Sequence, residues 1–212
     1  MFAIETCVLS ALRQGSWASP SLAWLGGDWA AWLAGAAVGC LCVWGIVIYN
    51  LMVRGRNLVL EGWSGVDVQL QRRHNLVPNL VEVVKAYAAH ERGVLEEVAS
   101  LRARSAQATE IRQRELSENA LTDGLKRLLA LAEAYPDLKA NRNFLDLQNT
   151  LTRIEDQIQM ARRYYNGAVR NYNILVETFP NNLLAGVLHR RRADFFQIVT
   201  TSDREAPKVE IP

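Results

Sequence analysis

Residues 144–179 read FLDLQNTLTRIEDQIQMARRYYNGAVRNYNILVETF. Steps of three and four from Phe144 land on Leu147, Leu151, Ile154, Ile158, Ala161, Tyr165, Ala168, Tyr172, Leu175 and Phe179. All of these positions are apolar or aromatic. A stripe that recurs every 3.5 residues runs down one face of a helix and is buried only by other helices. The same stepping from Trp63 gives Val66, Leu70, Arg73, Val77, Leu80, Val84, Tyr87, Glu91, Val94, Val98 and Leu101. Only Arg73 and Glu91 break that run. A shorter stripe, Leu121, Leu125, Leu128, Ala132 and Tyr135, lies between the two. No long period-2 alternation follows residue 55, and the hairpin-like pair Asn166-Gly167 falls inside a helical stripe. The fold class predicted is all-α.

The breaks between stripes are also legible. The small, polar run 105–109 (SAQAT) predicts a turn between the first two bundle helices. Tyr135-Pro136-Asp137 ends the second, because the residue before proline is pushed out of the α region. Phe179-Pro180-Asn181-Asn182 ends the third, and 183–199 is expected to form a shorter fourth. Pro78, inside the first stripe, predicts a kink.

Upstream, Trp29–Val53 is WAAWLAGAAVGCLCVWGIVIYNLMV, 25 residues without a charge. As a helix it is about 37 Å long, enough for a hydrocarbon core of about 30 Å. Trp29 and Trp32 stand at one end and Tyr49 and Trp63 near or past the other, where interfacial aromatics belong. A cleaved signal peptide would have a basic start and a shorter apolar run; Asp28 precedes this one. Gly35 and Gly39 form a small-xxx-small pair, a weak sign of helix association. The expected organisation is an N-terminal segment (1–28), a transmembrane helix (29–53), an antiparallel up-and-down bundle of three long helices and a shorter fourth (54–199), and a polar tail (200–212). Arg54, Arg56, Arg72 and Arg73 follow the span and only Arg13 precedes it. That asymmetry predicts an outside N-terminus and a cytoplasmic bundle.

Composition narrows the function. A net charge of +2 gives no general attraction to polyanions, so no nucleic-acid partner is expected. Cys7, Cys40 and Cys42 all lie before residue 43 and can build neither a disulfide framework nor a zinc site for the bundle. His74, His90 and His189 are far apart in sequence, and there is no Gly-rich phosphate loop. No metal, no cofactor, no small-molecule substrate and no catalysis are expected.

Several segments have a specific character. They include Tyr49-Asn50, the run 63–73 (WSGVDVQLQRR), Asn75-Leu76-Val77-Pro78-Asn79-Leu80-Val81-Glu82 and the run 135–141 (YPDLKAN). Further on come Phe144…Leu147-Gln148, Ala161-Arg162-Arg163-Tyr164-Tyr165-Asn166, Tyr172-Asn173 and Phe179-Pro180. In this order, over about 48–196, they resemble the LemA family. The resemblance implies a bacterial protein with an N-terminal membrane anchor and a long helical bundle. It implies no reaction.

The candidate site residues are the polar ones on or beside the stripes: Asp67, Arg72, Arg73, Asn79, Glu82, Gln148, Glu155, Arg162 and Asn166. They form either a satisfied buried network that fixes helix register, or a groove that recognises a partner. Arg190, Arg191 and Arg192 are either a solvated helix end or a site for anionic lipid headgroups. Helix lengths favour the former. A first bundle helix over 55–104 would leave the third running away from the membrane, with the fourth covering its bare end there. The function expected is a scaffold or interaction module at the cytoplasmic membrane, held by the bilayer through 29–53 and binding a protein partner or a second copy. The alternative is a subunit of a membrane enzyme whose active site needs a second chain.

Overall fold

The computed structural model describes residues 28–197; residues 1–27 and 198–212, with the N-terminal segment, Cys7 and the tail, lie outside the described part. The described residues are helical with no strand: α1 (Asp28–Tyr87), α2 (Arg92–Gln107), α3 (Ile111–Glu133), α4 (Pro136–Lys139), α5 (Arg142–Glu177) and α6 (Asn181–Val187). The chain divides into two compact units, 1–48 and 49–212. In the first, α1 is exposed from Trp29 to Val43. It is the one described helix long and apolar enough to cross a membrane.

The second unit is the bundle. Its first stripe is buried as expected at Val66, Leu70, Arg73, Val77, Leu80 and Val84. The helix does not continue to residue 104. It ends at Tyr87, and the chain reverses through Ala88–Glu91, with the Glu91 amide donating to the Ala88 carbonyl at 3.1 Å. A continued helix would have carried the Glu91 carboxylate into the apolar stripe, an unpaired burial that is costly; the reversal leaves Glu91 half-buried. Helices α2 and α3 then form a hairpin on the far half of α1. Val98, Leu101, Leu121, Leu125 and Leu128 join Val77, Leu80 and Val84 in one core.

Pro78 does not interrupt α1. Its missing N–H orphans the carbonyl four residues earlier, that of His74. The Arg102 Nε of α2 donates to that oxygen at 3.2 Å. Asn141 caps α5 by accepting from the Phe144 amide, and its Nδ2 donates to the Tyr87 hydroxyl at 2.9 Å. That bond sets the start of α5 beside the end of α1.

From there α5 runs antiparallel to α1. A Cβ built on Gly62 would lie 3.0 Å from the Tyr165 Cα, and one on Gly55 3.2 Å from the Tyr172 ring. These glycines, one heptad apart, let the two backbones close up where a side chain would hold them apart. The extra reversal at 88–91 thus changes the direction of everything after it. Helix α5 ends beside residues 49–56 of α1, not at the far end.

The fourth helix is much shorter than 183–199. Helix α6 stops at Val187, and the chain continues extended to Gln197. The stop is a Schellman motif: the His189 amide donates to Gly186 O and the Arg190 amide to Ala185 O, with His189 left-handed at φ 50. An extended strap, 188–197, covers the α5 stripe at Tyr165 and Tyr172, but the expected covering of its end is not made, and Phe179 stays exposed. Asn173 accepts from the Ala193 amide and donates to its carbonyl, and Asn166 does the same with Phe196. The spacing fits: seven residues of helix rise about 10.5 Å and three residues of extended chain about 10 Å. Phe196, fully buried, packs against Trp63, which also stacks at a tilt on Tyr165.

Candidate functional site

Three apolar stripes converge on one polar cluster at mid-bundle. Arg73 of α1 is fully buried. Its Nη1 donates to Glu155 of α5 at 2.8 Å and to the Thr122 hydroxyl of α3 at 2.9 Å. Its Nη2 pairs with Glu118 of α3, also fully buried. The other Glu118 oxygen accepts from His74 Nε2 at 2.9 Å and from the Ser105 hydroxyl of α2 at 2.5 Å. One guanidinium and one carboxylate thereby join α1, α2, α3 and α5.

Burial alone pushes the Glu118 carboxyl up, but hydrogen bonds from His74 and Ser105 and the Arg73 charge outweigh it and hold the group at about 2. Burial likewise pulls Arg73 down, and Glu155 and Glu118 more than restore it. A carboxylate held this low is a poor base at neutral pH. The cleft lined by Arg72, Asn79, Arg153 and Gln157 and the one lined by Arg104, Gln113 and Ser117 do not include Arg73, His74 or Glu118. The cluster ties helices together by charge-assisted bonds that only one register satisfies.

Of the residues singled out in the sequence, Arg73 and Glu155 meet in this cluster. Asp67 pairs with Arg114 at its edge. Asn166 holds the strap, 2.9 Å from the Phe196 carbonyl. Arg72 and Asn79 are exposed and share the rim of a cleft of about 450 Å³ between α1 and α5, floored by Leu76 and Ile154. Glu82 is exposed on α1, and Gln148 and Arg162 are half-buried on α5. Sequence reasoning missed Glu118, His74, Ser105, Thr122 and Asn173. One signal was available: three residues back from Leu121, the α3 stripe reaches Glu118.

Comparison with known proteins places this architecture. The chain is 26% identical over 175 residues to "Magnetosome protein MamQ 2" of Paramagnetospirillum magneticum, covering 70% of this chain and 64% of the relative. It is 24% identical over 159 residues to "Magnetosome protein MamQ" of Magnetospirillum gryphiswaldense, covering 63% and 58%. It is 21% identical over 163 residues to "Protein LemA" of Metamycoplasma hominis, covering 76% and 72%. The chain spans less than two thirds of the length of the magnetosome relatives it matches. The model of the LemA family matches residues 62–211, from just before Trp63 past the strap. The chain therefore belongs to the LemA family.

Proposed function

We propose that this protein is a membrane-anchored, non-catalytic scaffold that presents its helical bundle on the cytoplasmic face of a bacterial membrane and binds a protein partner there. The observation that carries this reading is the bare apolar surface of α1. Trp32 is 78% exposed, Leu41 64% and Val38 60% within a stretch that holds no charge. Water does not tolerate such a surface, and lipid does. The magnetosome names of two relatives fit the same role by analogy.

With Arg73 and Glu118 committed to each other, recognition falls to the surface. The cleft between α1 and α5, rimmed by Arg72, Asn75, Asn79, Arg153 and Gln157, is the partner face. The test is crosslinking in intact membranes with wild type and an Arg72→Ala/Arg153→Ala variant. The variant should melt as wild type does and lose a crosslinked species. Identical crosslinks in the two would remove this face from the proposal. Recovery of the chain in an alkaline carbonate wash would remove the anchor.

A further inference from the structure

Helix α5 carries a fixed register against α1. Gly62 meets Tyr165, and Gly55 meets Tyr172. Five residues beyond Tyr172 is Glu177, the end of α5; five residues before Gly55 is Asn50. Asn50 lies about 4.5 Å inside the end of the uncharged stretch, at 1.5 Å per residue. The turn after α5 and the helix α6 therefore stand at the level where α1 passes from apolar to arginine-bearing sequence.

Beside the exposed Asn182, α6 shows an apolar strip to the outside at that level. Leu183 and Val187, four apart and on one face, are 62% and 74% exposed, and Phe179 is 74% exposed just ahead of them. Ala185 points the other way and is buried. Behind α6 the strap begins with His189 and three arginines, which with Arg56 line a cleft of about 490 Å³. The nearby carboxylates are Glu177, which pairs with Arg192, and Asp194. Against these two, Arg54, Arg56, Arg190, Arg191 and Arg192 leave three positive charges in excess. An apolar face flanked by arginines at the depth of a bilayer surface is the pattern of an element lying in an anionic headgroup layer.

We infer that α6 and the arginine turn behind it bed into the leaflet that α1 enters, with Phe179, Leu183 and Val187 at the acyl boundary and Arg190 and Arg191 on anionic phospholipid headgroups. This rests on residues 29–53 being a membrane anchor. It adds a second, reversible contact that holds α5 and the strap to the membrane. It also reverses the expectation that Arg190–Arg192 lie far from the bilayer, because α5 runs toward the surface.

The test uses the full chain with Cys7, Cys40 and Cys42 changed to alanine. It is reconstituted in vesicles of phosphatidylcholine with roughly a third phosphatidylglycerol, which makes the surface potential negative. Nitroxide labels are placed by Leu183→Cys, Val187→Cys and, as an aqueous control, His90→Cys. Labels at 183 and 187 should collide severalfold more with oxygen relative to a nickel chelate than the control does. Arg190→Gln/Arg191→Gln should shift both toward the control. Aqueous values at 183 and 187 in a chain that still resists carbonate would overturn this inference and leave the anchor standing. Dipolar broadening between labels on two copies, without lipid exposure, would assign the face to a second chain and also overturn it. Release by carbonate would overturn anchor and inference together.

Discussion

Arg73 sits where the stripe of α1 calls for an apolar side chain, and its cost of burial is met by two carboxylates and a hydroxyl from two other helices. Removing Arg73 leaves the buried Glu118 charge with hydrogen bonds from His74 and Ser105 but without its ion pair. Arg73→Met should lower unfolding stability by about 3–5 kcal/mol, and Arg73→Met/Glu118→Leu should recover much of it. Denaturant melts of the three proteins check this; equal losses in the single and double variants would show that the charges do more than balance each other. Acid gives a second measurement. The Glu118 carboxyl sits at about 2 in the folded chain against 4.5 for an unperturbed glutamate. Its folded pKa is depressed, so its contribution is complete above about 4.5 and fades as pH falls toward 2, about 3 kcal/mol in all. Glu118→Gln should flatten the stability curve between those values; an unchanged slope would mean that other groups govern acid unfolding.

Elements are where the stripes and the chain path part company. The stripe of α5 is buried at Phe144, Leu151, Ile154 and Ile158, but beyond Tyr165 the core positions become Val169 and Val176 rather than Ala168 and Leu175. A helix of 3.6 residues per turn drifts against a 3.5-residue repeat. The strap then uses the exposed side of that drift, with Asn166 and Asn173 as its clamps. Phe196 is the strap's buried anchor against Trp63. Phe196→Ala should cost about 3–5 kcal/mol in thermal or denaturant unfolding of the full chain in detergent. Phe195→Ala, at a site 42% exposed, should cost far less. Equal effects would mean that the strap is held by its backbone clamps alone.

For the whole molecule the question is which side of the membrane the bundle occupies. Arg54 and Arg56 follow the uncharged span immediately, and the bundle-end arginines 190–192 lie against Arg56. Both groups favour the cytoplasmic side, where the surface potential is negative. Protease added to spheroplasts should leave the bundle intact. Digestion there, with a cytoplasmic marker protected, would put it outside.

Periodicity alone determined the helical class, the apolar faces and the uncharged span, because burying a helix requires a stripe and crossing a bilayer requires length, and both are written along the chain; it ran 63–101 together as one helix and read 183–199 as another, and neither holds. The turn at Tyr135-Pro136 and the break after Gln107 were legible for a similar reason: proline and small polar residues act on their own backbone. Three things were decided only in three dimensions. The reversal at 88–91 has no proline, and only the cost of burying Glu91 marks it. The partners of Arg73 lie 45 and 82 residues away in sequence, so nothing local names Glu118 or Glu155. The segment after α6 is extended because Asn166 and Asn173, spaced for an extended chain, satisfy its backbone better than a further turn of helix would. Local pattern states what each segment can bury; which segment buries it depends on where the chain turns back.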